Sequence, residues 1–396
     1  MDVIQVNARN QRLLLTNGRI YTGRRVIDNG CLLVGTDGRI EAVGEPEEIS
    51  EAFMEAVLVL DLQGKRVLPG LIDVHVHGGN GFQVMDGTFE GLDGMSRFHA
   101  AHGTTSFLAT TDSASEQEIL KALRCADEAA SRGLDGAELL GVHLEGPFLH
   151  PGRGGAQDKR HLRSATKAEL RRHIEASGNR IKLATLAPEI EGGLEAVDLL
   201  AGLGITVSIG HSDATHAQVL EAIRRGVSHT THHFNGMSPF HHRDPGVAGS
   251  GLICGELTTE LIPDGIHVHP AVVKLLFDIK GAHKVCMITD AVQQAGLPDG
   301  DYGEIILKDR QVWLKDGSSL AGSTLTMIQG LKNVLSYTGY ALEVVLPSFT
   351  EVPARQSGVA DRKGKLEAGK DADFLIVDDD LAIRSTYVGG REVYAI

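Results

Sequence analysis

The stretch Leu71-Ile72-Asp73-Val74-His75-Val76-His77-Gly78-Gly79 reads as a short β-strand that ends abruptly in a loop. Pro69-Gly70 marks the entry turn, and Gly78-Gly79 releases the chain at the other end. Side chains two apart on a strand project to the same face. His75 and His77 can therefore reach a single ion, and neutral imidazole is the commonest metal ligand among side chains. A buried strand can also carry two hydrogen-bonded histidines for packing reasons, so this pair alone leaves both readings open.

Downstream, short apolar runs alternate with helical stretches, the pattern of a parallel α/β sheet. Strands are predicted at 71–77, 105–110, 139–145, 181–187, 205–211, 230–234, 257–262 and 285–290, with helices among them at 116–132 and 167–176. Eight strands over roughly 220 residues fit a (β/α)8 barrel, whose usual length is about 250. A doubly wound open sheet is the alternative, but no GxGxxG opens a helix after a strand. Both chain ends have a different texture. Asn17-Gly18 and Asp37-Gly38 sit between apolar runs as hairpin signals, and 374–377 and 387–394 are again β-rich. Neither end can bury a core alone. The expected architecture is an α/β barrel over 67–349 with a small β-sandwich domain built from 1–66 and 350–396. A hairpin is predicted at 304–314, after the eighth strand.

The chain has 396 residues, 42% of them hydrophobic, which is enough for a large barrel and a satellite. A net charge of −14 without a long basic run argues against nucleic acid or an anionic membrane as partner. It leaves room for a phosphorylated small molecule, which needs only local cations. Cys31, Cys125, Cys254 and Cys286 form no CxxC pair, so a reducing compartment fits better than a disulfide framework. The first ten residues lack a basic-then-apolar leader, and no apolar stretch approaches membrane-span length. A soluble, cytoplasmic protein is expected.

Polar residues cluster where the predicted strands end: His143-Leu144-Glu145-Gly146-Pro147, Gly210-His211-Ser212-Asp213, Thr231-His232-His233-Phe234-Asn235 and Thr289-Asp290-Ala291. Burying such groups costs several kcal/mol unless they are paired or bound to a cation. Four such strand ends, added to the histidine pair, point to a divalent-metal centre at the mouth of the barrel, where barrel enzymes build their sites. Mixed imidazole and carboxylate ligands suit zinc or iron. Two neighbouring ions would need a shared carboxylate, and Glu145 is the candidate. No GxSxG elbow supports a covalent serine mechanism.

These segments, together with Asp264-Gly265-Ile266-His267-Val268 and Ala321-Gly322-Ser323-Thr324-Leu325, resemble the amidohydrolase superfamily, and within it the N-acetylglucosamine-6-phosphate deacetylase family. They occur in family order and span most of the chain. The resemblance implies one ion held by His75, His77, Glu145 and Asp290, and a second held by Glu145, His211 and His232, with a hydroxide between them. Some relatives lack the first-strand pair and keep one metal; this chain retains it, which favours two ions, zinc or iron, per subunit. The resemblance further gives Asp290 the role of general base and acid. It assigns Asn235 and Gly236 to the sugar phosphate, His267 to the sugar, and Arg243 to the phosphate of a neighbouring subunit in a homodimer. Gln157 stands where many relatives have a histidine that helps polarise the acetyl carbonyl; it can donate a hydrogen bond but no proton. His143 and His233 are expected as structural neighbours of the ligands.

The implied reaction is hydrolysis of the acetamide of N-acetylglucosamine 6-phosphate to glucosamine 6-phosphate and acetate. Two alternatives are the N-acetylgalactosamine epimer and a ring-opening cyclic amidase. The latter relatives typically use a carboxylated lysine from strand four, whereas Lys182 here lies at the wrong end of that strand.

Overall fold

A computed structural model describes residues 11–49 and 57–396. Parts of the expected sandwich, residues 1–10 and 50–56, lie outside the described residues, as does the stretch on which the absence of a leader was read.

Eight parallel strands follow one another around the barrel in chain order: Leu71–Val76, Thr104–Thr110, Glu138–Glu145, Ile181–Leu186, Thr206–Ile209, Val227–Thr230, Thr258–Leu261 and Val285–Met287. Each pairs with the next. Just past the eighth strand the ring closes: Val76 forms a parallel bridge with Ala291, and the Asp290 amide donates to the His75 carbonyl at 2.9 Å. That closure excludes the open doubly wound sheet.

The helices between the strands start and stop for local reasons. Glu116–Arg132 opens on a capping box between Ser115 and Glu118 and ends at Gly133, whose φ of 83° suits a residue without Cβ. Its buried stripe, Ile119, Ala122, Leu123, Ala126 and Ala129, has helical spacing and packs on the third strand. Lys167–Ala176 opens on Thr166, whose hydroxyl accepts from the Glu169 amide.

Two strands end earlier than their composition implies. The sixth was expected at 230–234 but runs Val227–Thr230, and the eighth stops at Met287. The segment Thr231–Phe234 is as buried as a strand but cannot be one, because His232 and Phe234 have φ of 28° and 81°. His211 and Asp290, at 47° and 51°, turn the same way past the fifth and eighth strands. Residues other than glycine seldom occupy this left-handed region, and clusters of them mark functional sites.

The two chain ends combine in a second, mixed eight-stranded sheet. The long strand Arg12–Tyr21 organises it. Its first half pairs in parallel with Val57–Asp61 and its second with Arg66–Pro69, with a register shift at Asn17-Gly18. Phe374–Val377 then pairs antiparallel with Arg66–Pro69, immediately before the first barrel strand. The sheet folds over Leu13, Leu15, Ile20, Leu32, Phe374 and Tyr387, giving the sandwich-like domain expected from the termini. A buried lysine fastens this region to the barrel: Lys363 pairs with Asp373 and lies 2.7 Å from Glu138, the first residue of the third barrel strand. Helix Glu351–Gln356 packs on the first and eighth barrel strands.

After the eighth strand a four-stranded meander runs Gly300–Asp301, Ile305–Lys308, Gln311–Leu314 and Leu320–Ser323. The predicted hairpin is its central pair. No helix among the described residues is long and apolar enough to cross a membrane.

Candidate metal centre and its cavity

The left-handed turns past the strands aim their side chains at one point. His75, His77 and Asp290 bring ligand atoms within 4.8 Å of one another, and Glu145, His211 and His232 do the same. The two trios touch. Asp290 Oδ1 lies 3.4 Å from both His75 Nε2 and His77 Nε2. Glu145 spans the gap: Oε1 is 3.3 Å from His211 Nε2 and from His232 Nε2, while Oε2 is 3.4 Å from His77 Nε2.

The hydrogen bonding behind these rings fixes which nitrogen faces inward. His75 Nδ1 donates to Glu260 Oε2 at 3.0 Å, His211 Nδ1 to the Arg153 carbonyl at 2.9 Å and His232 Nδ1 to the Asn235 carbonyl at 3.1 Å. His77 Nδ1 sits 3.0 Å from Asp112 Oδ1. With Nδ1 engaged behind each ring, Nε2 is the nitrogen turned inward, and in the neutral ring it offers a lone pair to a cation. Yet His75 Nε2 and His77 Nε2 are 3.2 Å apart, and His211 Nε2 and His232 Nε2 are 3.0 Å apart. Nitrogens this close to one another beside two carboxylates call for positive charge between them, supplied by a proton or by a metal cation. A divalent cation fits this donor set in number, chemistry and orientation.

The proton affinities carry the same message. Burial disfavours charge on every group here. Even so, the carboxylates of Glu145, Asp290 and Glu260 drive His75 well above its ordinary range. Burial likewise raises Asp290, but His75 and His77 more than offset it and hold its carboxyl at about 2. The carboxylates stay anionic and draw cationic charge towards themselves.

Around the cluster opens a cavity of about 540 Å³, within the range of small-molecule sites. Gln157, Asn235, Gly236 and His267 line it together with five of the six ligand candidates, and His75 lies fully buried behind them. Gln157 is held at both ends, donating to Glu145 Oε2 and accepting from the Ser113 amide, each at 2.7 Å. His267 gives its Nδ1 proton to Asp264 Oδ2 at 2.6 Å. Arg243 is not brought to this cavity within the chain: it lies on an exposed turn, 3.1 Å from His242 Nε2. His143 bonds the Thr185 hydroxyl, and His233 the Ala248 carbonyl, both beneath the site. Lys182 sits at the entry end of the fourth strand, remote from the mouth.

Three contributors escaped the sequence reading. Glu260 lies fully buried behind His75, and Asp112 behind His77. Trp313, the only tryptophan, enters the cavity wall from the meander. An acid inside the predicted strand 257–262 was the one available signal for Glu260.

Residues 66–393 match the amidohydrolase family. The chain is 40% identical to the N-acetylglucosamine-6-phosphate deacetylase of Bacillus subtilis (strain 168) over 388 residues, covering 96% of this chain and 97% of that one. It is 35% identical to the N-acetylgalactosamine-6-phosphate deacetylase of Escherichia coli O157:H7, covering 94% and 97%. Among solved structures, a variant N-acetyl-D-glucosamine-6-phosphate deacetylase from Mycobacterium smegmatis, in complex with N-acetyl-D-glucosamine-6-phosphate, superposes with a TM-score of 0.90 at 30% identity, covering 98% of this chain and 100% of that one. With the same fold over nearly the whole length and a histidine–carboxylate cluster at the barrel mouth, the chain belongs to the amidohydrolase family and, within it, to the N-acetylglucosamine-6-phosphate deacetylases.

Proposed function

We propose that this enzyme hydrolyses the acetamide of N-acetylglucosamine 6-phosphate, releasing acetate and glucosamine 6-phosphate. The observation that carries the reading is the convergence of four Nε2 atoms on the shared carboxylate of Glu145 and on Asp290 beside a cavity sized for a sugar phosphate. Two divalent ions, zinc or iron, fit the two trios; when bound they supply Lewis acidity, which polarises an amide carbonyl and lowers the pKa of water to about 7. His75, His77 and Asp290 would hold one, His211 and His232 the other, with Glu145 shared.

Asp290 is the proton carrier. An amide resists hydrolysis because water is a poor nucleophile and the amine a poor leaving group. A carboxylate that takes the proton of the attacking water and returns it to the departing nitrogen addresses both. Gln157 keeps Glu145 in place and offers the acyl group a neutral donor. Beside the second trio, Asn235 and Gly236 offer backbone and amide groups to the phosphate. We extend the role of His267 from the sugar to its phosphate: burial disfavours its imidazolium, but Asp264 more than offsets that and raises its pKa, which favours the charged form. Trp313 and Leu320 offer apolar surface to the sugar ring and the acetyl methyl.

The phosphate site is completed by Arg243 from a second copy in a homodimer. The turn carrying it also exposes Phe240, which lies over Gly249 of the uncharged helix Gly246–Ile253. An apolar surface beside an unburied guanidinium suits a covered interface.

The deciding experiment measures acetate release from the 6-phosphates of N-acetylglucosamine and N-acetylgalactosamine and from the unphosphorylated sugars, with metal content determined on the same sample. Highest kcat/KM on the gluco 6-phosphate, loss of activity on chelation and recovery with zinc or ferrous iron are expected. Preference for the galacto epimer would reassign the substrate, and full activity in metal-free protein would overturn the mechanism.

A further inference from the structure

Glu260 belongs to neither ligand trio, yet it touches both. It is fully buried on the seventh barrel strand, Thr258–Leu261. A single oxygen, Oε2, accepts from His75 Nδ1 at 3.0 Å and from the backbone amide of His232 at 3.0 Å. His75 belongs to the first trio and His232 to the second. The Glu260 main chain adds a third hold, its carbonyl accepting from the His233 amide at 2.9 Å. The other carboxylate oxygen, Oε1, takes no hydrogen bond among the described residues; His229 Nδ1 lies 3.6 Å from it. Both donors therefore converge on one atom.

We infer that Glu260 is a positioning residue that couples the two halves of the metal centre through that oxygen. On the first side it must act as acceptor, so His75 carries its proton on Nδ1 and turns a bare Nε2 to the ion. On the second side it pins the His232 amide in a turn whose φ of 28° the chain would otherwise relax, and that turn sets the direction of the His232 ring. Removal of Glu260 thus releases a ring in one trio and a backbone in the other. The inference rests on the two-ion reading above and adds to it a shared support that makes the two sites fail together.

The test uses the full-length protein stripped of metal and titrated with cobalt(II), following stepwise binding by calorimetry and ligand geometry by the visible cobalt spectrum. Wild type is expected to bind in two steps. Glu260→Gln keeps a carbonyl oxygen for both donors and should hold each step within about tenfold of wild type, with an unchanged spectrum. Glu260→Ala should weaken both steps by about ten- to a hundredfold, the range typical of lost outer-shell partners, and alter the spectrum. A wild-type protein that binds no cobalt would strike down the metal reading itself. Two wild-type steps with only one weakened in Glu260→Ala, or with neither weakened, would overturn the coupling. Should the alanine variant fail to fold, ring 15N spectra of the zinc-loaded wild type and Glu260→Gln decide. A protonated, slowly exchanging Nδ1 on His75 in both supports the inference, and an unprotonated Nδ1 in wild type overturns it.

Discussion

Asp290 is held from both sides of its own backbone. Its amide donates to the His75 carbonyl at 2.9 Å and its carbonyl accepts from the Ser323 amide at 2.8 Å, so at φ 51° the side chain has one direction to take. Asp290→Asn should therefore stay folded while turnover falls by about a thousandfold, within the range for loss of a general base. The check is kcat with metal content measured alongside; a variant retaining more than about a tenth of wild-type kcat would remove Asp290 from proton transfer. Asp264 permits a test of a different kind. Its Oδ1 accepts from the Ile266 and His267 amides, each at 2.8 Å, leaving Oδ2 for the His267 ring. That contact raises the imidazole pKa, so His267 stays cationic to higher pH than an ordinary histidine near 6.5. In Asp264→Asn the proton should be lost earlier as pH rises. KM for the 6-phosphate should then begin to climb at lower pH than in wild type, with no such divergence for the unphosphorylated sugar. Parallel KM profiles would show that the charge on His267 is not used.

Among the elements, the meander after the eighth strand contributes to the cavity without contributing to the ligand trios. Ile305, Trp313 and Leu320 form part of the wall, and none of them bonds a ligand candidate. Trp313→Ala should consequently raise KM by roughly tenfold while kcat stays within about threefold, the signature of lost uniform binding. A collapse of kcat would mean that the meander orders the metal centre. This division also explains what the sequence disclosed. The convergence of the candidate ligands was readable because His and Asp or Glu break apolar runs just where a barrel opens. The helices at 116 and 167 were readable because Ser115 and Thr166 cap them. Glu260 was not, since one acid in Thr258-Thr259-Glu260-Leu261 looks like the polar face of an alternating strand. Asp112, two residues past a strand, resembles an ordinary loop acid. The sixth strand was placed late because burial gives 231–234 strand-like composition, while the φ angles that forbid a strand leave no mark on hydrophobicity. Trp313 is an unremarkable hairpin residue until the fold carries it over the barrel mouth.

At the scale of the whole molecule, the guanidinium that the resemblance assigns to the phosphate does not reach the cavity of its own chain. Arg243 sits on the turn His241–Asp244, away from the cavity walls. Phe240 on the same loop is 57% exposed, and Ile253 at the end of the adjoining helix is 60% exposed. If a second copy covers this face, as proposed, each Arg243 serves the other copy's substrate. A charge-assisted contact is worth about 1.5–3 kcal/mol. Arg243→Ala should then lower kcat/KM for the 6-phosphate by about ten- to a hundredfold and barely affect the unphosphorylated sugar. The cross-subunit geometry makes a sharper demand. In a mixed dimer of Arg243→Ala with Asp290→Asn, one of the two sites holds an intact Asp290 and faces an intact Arg243. Dissociating and remixing the two impaired variants should restore part of the wild-type activity, although neither recovers alone. A wild-type protein that is monomeric by light scattering, or mixed dimers no more active than their parents, would return Arg243 to the role of a solvated loop charge.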